Sequence, residues 1–316
     1  MYSYSMQSIE KAVHNRHINI RSQRSKAILT IQHHLISALR AFLFSHGFYE
    51  ILAPVVGPAT DPGIRGAGIV NFDYYGVSYK VMSSMILYKQ MALGVFDSVF
   101  AVSPNVRLEP PETINTGRHL VEFHQLDLES AHTSCEEIMD LGDQLICYCV
   151  DRIRDCKSEL EILGRELPVV TPPFKRIPHH ILEDELSITG EIPWEEERMI
   201  SEKAEEPFWI VDYPVGSRGF YYLEKDGMLK SMDLILPEGF GEVISGGERE
   251  YEYRRVKNLL EGEGLIHDYA WYLDMLKKGV PPSAGFGIGI ERFTRYICGL
   301  PHIWESSPFP KVPGIC

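Results

Sequence analysis

The sequence predicts an α+β fold, an antiparallel β-sheet flanked by helices, on three observations. Segments of strand character are many and are joined mostly by short turns rather than by helical crossovers. Runs with helical apolar spacing stand outside those strands. The glycine alternation near the C-terminus differs from the G-x-G-x-x-G of a dinucleotide-binding fold, so a doubly wound parallel sheet is not indicated.

The elements follow in chain order. Ile28, Ile31, Leu35, Leu39 and Phe42 recur at helical spacing, which predicts an amphipathic helix over residues 22–46 that Gly47 ends. NFDYYGVSYKVM reads as two short strands around Gly76. SVFAVSPNVRLE and VEFHQLDLES read as strands on either side of the polar loop PPETINTGRH, and SCEEIMDLGDQLICYCVDRIRD as a second helix. Residues 157–206 are weakly patterned and acidic, with PWEEERMISEKAEE expected as a surface helix. FYYLEKDGMLKSMDLIL has the Asp226-Gly227 pair of a hairpin turn. AGFGIGIERFTRYICGL reads as strand, glycine-rich turn and helix.

Composition bounds the function. The 316 residues carry a formal net charge of −13, from 44 acidic and 31 basic side chains. Binding a polyanion releases counterions through Lys and Arg, so this balance argues against global attraction to nucleic acid. The N-terminus lacks the apolar run of a signal peptide, and no apolar stretch of membrane-spanning length is expected. None of the six cysteines, Cys135, Cys147, Cys149, Cys156, Cys298 and Cys316, has C-x-x-C spacing, so a reduced cytoplasmic protein without a zinc site fits best. With no repeat and no Pro/Gly/Ser-rich linker, residues 1–316 are expected to form one catalytic domain, residues 1–14 being an N-terminal extension.

Several segments carry chemistry. In GFGIGIERF, Gly285, Gly287 and Gly289 leave one strand face bare, so a flat ring or a phosphate can approach the backbone, with Arg292 close behind. Taken alone, this pattern suits a tightly packed strand equally well. Arg107 and Glu109 end one strand; Arg118 and His119 precede the next, and Phe123 follows. Two guanidinium groups around a hairpin loop suit a polyphosphate, and Phe123 suits a base. Asp233 and Glu242 lie near Arg249, where carboxylates would hold magnesium on ATP phosphates.

In this order the segments resemble the class II aminoacyl-tRNA synthetases. VRLEPPETINTGRHLVEFHQLDLES looks like their second motif and AGFGIGIERFTRYICGLPHIWESSPFPKVPG like their third. The first long helix through GFYEILAP looks like the first motif, a dimerisation element, so a homodimer through that helix and the following strand is implied. The nearest subgroup is aspartyl and asparaginyl, and the resemblance runs from about Asn15 to the C-terminus. It implies ATP and Mg²⁺ as cofactors. Arg107 would contact the α-phosphate and the reacting carboxylate, Glu109 the adenine amino group, and Phe123 the ring. Arg118 and His119 would face the γ-phosphate, Gly289 and Arg292 the other side of the nucleotide, and Asp233 and Glu242 the metal. The Asp233–Glu242 spacing of nine residues is one longer than the family's usual one.

The resemblance also suggests a departure from tRNA charging. The subgroup's anticodon-reading barrel has no counterpart before Asn15, and truncated relatives of this kind include asparagine synthetases. Lys89-Gln90 matches the aspartyl pair that holds a non-reacting carboxylate, with Arg249 as a second cation. The family's amine pocket usually has two glutamines and a glutamate where this chain has Met82-Ser83-Ser84-Met85 and Arg65. An ammonium about 4 Å from a carboxylate gains about 4 kcal/mol at an effective dielectric of about 20, and an arginine there reverses the sign. The expectation is therefore an AMP-forming ligase that adenylates an aspartate-like acid, or an acid or peptide without a free amine. It would pass the acyl group to ammonia as an amide, in principle onward to a nitrile, with tRNA not a partner and no membrane involved. Arg65, Ser83, Met85, Lys89, Gln90 and Arg249 would line its acid pocket. The alternatives are transfer to tRNA or a carrier, and a non-catalytic sensor of ATP or an amino acid.

Overall fold

The computed structural model describes residues 5–64 and 66–315. Helices α1 (Met6–His14) and α2 (Arg16–Asn19) lead into the long α3 (Gln23–Ser45). Ser22 caps α3 by accepting the Ser25 amide at 3.1 Å, and Gly47 ends it at φ 79°. Short strands β1 (Tyr49–Glu50) and β2 (Val56–Gly57) precede the hairpin β3 (Asn71–Tyr74) and β4 (Val77–Val81). Helix α4 (Ile86–Ala92) is followed by β5 (Ser98–Val106) and β6 (Glu122–Ala131). A Ser134–Glu137 capping box opens α5 (Cys135–Ile153). Next come α6 (Lys157–Leu163), β7 (Lys175–Pro178), α7 (His179–Leu186), α8 (Trp194–Lys203) and β8 (Phe208–Val211). The hairpin β9 (Glu224–Lys225) and β10 (Met228–Leu229) turns at Asp226 and Gly227, both at positive φ. Strands β11 (Ser231–Leu236) and β12 (Gly241–Glu248), helices α9 (Tyr253–Gly262) and α10 (Ala270–Lys278), strand β13 (Ser283–Gly289) and helix α11 (Ile290–Ile297) complete the order.

Among the described residues, eight strands form one sheet in the order β1-β5-β6-β13-β12-β11-β8-β7. Its centre is antiparallel, as the sequence predicts; the two edge pairs, β1 with β5 and β7 with β8, are parallel. Neither edge was legible beforehand, because β1 has two residues and β7 lies in the weakly patterned 157–206 stretch.

The pleat sorts the sheet into two faces. Leu126 and Leu128 of β6, Phe286 and Ile288 of β13, Ile244 of β12 and Leu234 of β11 pack on α3, α5 and α11 in the main core. Helix α3 is long and apolar enough to cross a membrane by length and composition, contrary to expectation. Its stripe of Ile28, Ile31, Leu35 and Leu39 is buried in this core instead. The N-terminal extension is docked as well, with Ile9 buried among Ile114, Leu120 and Trp304. Phe44, Tyr49 and Leu52, on the segment expected to pair with a second copy, are exposed.

One buried carboxylate ties the main core to the sheet. Asp143 of α5 accepts Trp209 Nε1 at 2.6 Å and the Phe174 amide at 3.0 Å. Asp143→Ala leaves both donors buried without an acceptor, so it should cost about 2–4 kcal/mol of stability. Urea unfolding followed by tryptophan emission measures this directly.

Candidate active site

The site is built on the sheet face opposite the main core. On β6, Phe123, Gln125, Asp127 and Glu129 alternate onto this face, beside Gly285, Gly287 and Gly289 of β13. Glu129 pairs with Gly285, Asp127 with Gly287 and Gln125 with Gly289. A Cβ on Gly287 would stand 2.8 Å from Gln125 Nε2 and 3.0 Å from Asp127 Oδ1, and one on Gly285 would collide with Glu129. The glycines therefore make room for charged neighbours as well as for a ligand.

Over this floor lie two cations. Helix α4 drops Lys89 into the sheet with 1% of its surface exposed. Its Nζ is 3.3 Å from Asp127 Oδ1, 3.5 Å from Glu129 Oε2 and 3.1 Å from the Leu128 carbonyl. Arg249 grips Glu129 with Nε and Nη2 at 3.0–3.2 Å and donates to the Gly285 carbonyl at 2.7 Å. Burial alone would lower the Arg249 pKa, but Glu129 more than compensates and it lies above the ordinary value. Arg249 Nη1 is buried without a hydrogen-bond partner and the side chain lines the cleft. A buried donor of this kind needs an acceptor, and a ligand oxygen would supply it.

The far wall is the loop before β3. Asp61 lines the cleft, its Oδ1 accepting Tyr221 Oη and the Gly63 amide, both at 2.8 Å. Burial and the Asp61 carboxylate push Tyr221 well above its usual pKa, so it stays a donor. Tyr88 Oη reaches the Ala59 carbonyl at 2.9 Å and Tyr269 Oη the Thr60 carbonyl at 2.8 Å. Three phenols thus pin residues 59–61.

At the other end of the same cleft stand Arg107, Glu109, Arg118, His119, Phe123, Glu242, Gly289 and Arg292. The Arg107 guanidinium sits 5.2 Å over the Phe123 ring, and its Nε donates to the Ser83 carbonyl at 3.1 Å. Arg292 Nη1 meets Glu242 Oε1 at 3.1 Å. Burial raises the Glu109 pKa against the pull of Arg107, Arg292 and Arg118. Burial first, then Arg292 and Arg118, push His119 down to about 2, so its imidazole is neutral. Three arginines, a bare glycine strand and a neutral imidazole fit a triphosphate. Glu242 at the cleft wall fits Mg²⁺, which takes one or two carboxylates and completes its shell with phosphate oxygens and water. Among the described residues no cluster of three His, Cys, Asp or Glu side chains would hold a metal unaided.

Lys89, Arg107, Glu109, Arg118, His119, Phe123, Glu242, Arg249, Gly287, Gly289 and Arg292, all singled out from sequence, thus meet in one cleft. Four others do not line it. Gln90 is spent on Tyr272 Oη, at 2.6 Å, and on the Ile86 carbonyl. Ser83 Oγ is tied to Thr60 Oγ1 at 2.8 Å, leaving Ser84 at the wall. Met85 is buried at the start of α4. Asp233 shares the cleft's side of the sheet, one strand beyond Ser245, but Arg218 reaches it at 2.6 Å and Tyr213 at 2.9 Å. Arg65 lies outside the described residues. Sequence reasoning missed Asp61, Gln125, Asp127, Arg218 and Tyr221, all in the cleft wall. The signal for two of them was visible, since HQLDLES places polar residues on alternate positions of a buried strand.

An antiparallel sheet with an arginine-rich nucleotide end and a mixed-charge acid end in one cleft defines a class II aminoacyl-tRNA synthetase core. The chain belongs to the class II tRNA synthetases of the D, K and N group, which match residues 8–313. It is 32% identical over 314 residues to an asparagine–tRNA ligase of Pyrococcus furiosus, covering 95% of this chain and 71% of that one. The corresponding ligase of Sorangium cellulosum is 34% identical over 325 residues, covering 94% and 72%. The asparaginyl-tRNA synthetase of Pyrococcus horikoshii, solved with asparaginyl-adenylate, superposes with a TM-score of 0.90 at 31% identity, over 99% of this chain and 74% of that chain. ATP and Mg²⁺ are this family's cofactors.

These relatives overturn two expectations. Ligation of an acid to ammonia, with its onward nitrile, gives way to aminoacyl ligation, and tRNA returns as a partner of the class. The physical reasons are local. A net charge of −13 is a whole-chain sum that does not describe one face. The methionines that stood in for amine-binding glutamines, Met82 and Met85, are fully buried, while Asp61 offers the cleft a carboxylate for an ammonium.

The buried imidazoles set an acid limit on stability. His119 is lowered to about 2 and His302 to about 4, both chiefly by burial. Their stabilising neutral state is fully present above the unfolded value of 6.5 and is lost as pH falls below it, because only the unfolded chain takes up the protons. Between about pH 7.5 and 5.5 each should cost about 1.4 kcal/mol. Urea midpoints at the two pH values measure the sum, and His119→Gln should remove one share.

Proposed function

We propose that this protein activates an amino acid of the asparagine–aspartate class with ATP and transfers it to the 3′ end of tRNA. The observation that carries the reading is the single cleft with a triphosphate-binding end and an amino-acid end. Arg107 would sit where the acid's carboxylate oxygen attacks the α-phosphorus and pyrophosphate departs, with Arg292 on the other side of the phosphates. The guanidinium groups would stabilise the charge that develops there, so catalysis is mostly positioning and electrostatics. A tRNA hydroxyl would then attack the acyl carbon and release AMP. Asp61 would receive the ammonium, and Lys89, Arg249 and Asp127 the side chain.

Asparagine is the first candidate. Lys89, Arg249, Asp127 and Glu129 sum to zero charge and offer both donors and acceptors, which suits a neutral amide. Aspartate is the second, favoured by the unpartnered Arg249 Nη1 and by Lys89 beside it. A cytoplasmic location, where ATP and tRNA are found, is part of the same proposal.

Pyrophosphate should exchange into ATP when asparagine is added, more slowly with aspartate, and labelled asparagine should become bound to tRNA. Absence of exchange with either amino acid would sink the reading. Arg292→Ala should lower the exchange rate by roughly 10²–10³-fold, the scale of losing a transition-state charge donor.

A further inference from the structure

We propose that Glu197, on helix α8, is a positioning residue that aims Arg118 at the phosphate end of the cleft, so that this helix sets the affinity for the triphosphate. The proposal rests on the reading of the cleft as an ATP site. Helix α8 was expected to be a solvated surface helix, yet Glu197 is 5% exposed and Ser201 fully buried. Glu197 Oε1 takes Arg118 Nη1 in a buried ion pair and also accepts the Glu242 amide at 2.8 Å. One carboxylate oxygen therefore fixes both a cation of the phosphate end and the backbone of the candidate metal ligand. Gly241, at φ 72°, lies against the pair; a Cβ there would collide with Glu197 Oε1 and stand 2.9 Å from Arg118 Nη1. The backbone turn that delivers Glu242 is thus fitted around this contact.

The charges alternate along a line, Glu197, Arg118, Glu242, Arg292. Arg118 Nη2 stands 4.0 Å from Glu242 Oε2, and Arg292 Nη1 stands 3.1 Å from Glu242 Oε1. Glu197 holds Arg118 at one end of this series of contacts, and Arg292 stands at the other. Without Glu197, Arg118 keeps Glu242 Oε2 at 4.0 Å, and the guanidinium would close onto that carboxylate. That movement would take a donor from the phosphates and occupy the carboxylate that Mg²⁺ needs. Ser201 links the same helix to the same turn through the Leu236 carbonyl at 2.5 Å and the Gly241 amide at 3.1 Å, without touching Arg118. It separates aiming from mere support.

The test compares ATP and AMP binding, with Mg²⁺ present, by isothermal titration calorimetry. AMP lacks the β- and γ-phosphates and reports on the rest of the folded nucleotide pocket. Glu197→Ala should weaken ATP by about tenfold or more and change AMP by less than about twofold, the scale expected for a misdirected charge-assisted contact. Glu197→Gln, which keeps an acceptor for both donors, should fall between, and Ser201→Ala should stay within about twofold of wild type for both ligands. ATP affinity unchanged in Glu197→Ala, equal weakening of ATP and AMP, or an equal loss in Ser201→Ala would overturn the proposal. Wild-type protein that binds neither nucleotide would instead refute the ATP site on which it rests.

Discussion

The cleft depends on one constraint: four buried charges must be balanced over a stretch of strand, Gly285 to Gly289, that has no side chains on their side. Lys89 and Arg249 are neutralised by Asp127 and Glu129 at 3.0–3.5 Å, all four nearly without solvent. An unpaired charge in such a place would cost several kcal/mol, so each of the four is held by the others. They fit only because Gly285 and Gly287 stand beside the two carboxylates. The glycine strand is thus a steric requirement of the acid end and, through Gly289, part of the nucleotide end as well.

The two ends are held by different parts of the chain. Helices α4 and α10 brace the acid end, where Tyr272 takes up Gln90 and thereby fixes the helix that carries Lys89. The segment between β7 and β8 braces the nucleotide end through α8. Arg107 couples the two, because its Nε rests on the Ser83 carbonyl, next to the Thr60–Ser83 link that anchors the Asp61 loop. A shift of that loop would be felt at Arg107, at the other end of the cleft.

Much of this was legible in the sequence where a physical period or an ordered motif carried it. The long helix, both hairpins, the paired central strands and the arginines around the loop after β5 each have a local signature. The acid end was legible only in part. Asp61 lies in a loop without periodicity, so nothing local distinguishes it from a solvated turn, and Arg65 was given its place instead. Met82 and Met85 were read as pocket residues because the motif is short and the helix that follows turns them inward. Glu197 sits in a run of acidic residues, which usually marks a solvated face; its partner is 79 residues away in sequence. Asp233 has the right strand and face, and is claimed by an arginine that no spacing rule would have put there.

The loop that presents Asp61 is held both through its backbone and through the side chain of Thr60. Tyr88 and Tyr269 bind the carbonyls of Ala59 and Thr60, groups that every amino acid possesses. Thr60 adds a link that depends on its identity, its hydroxyl meeting Ser83 Oγ at 2.8 Å and the Ser83 amide at 2.9 Å. Ala59 and Thr60 are also fully buried, so a larger side chain at either would move the carboxylate beside them. A wall of this kind ties the inheritance of shape to the inheritance of specificity: the segment that presents the carboxylate cannot drift without moving it, so retuning falls to the residues that face it across the cleft.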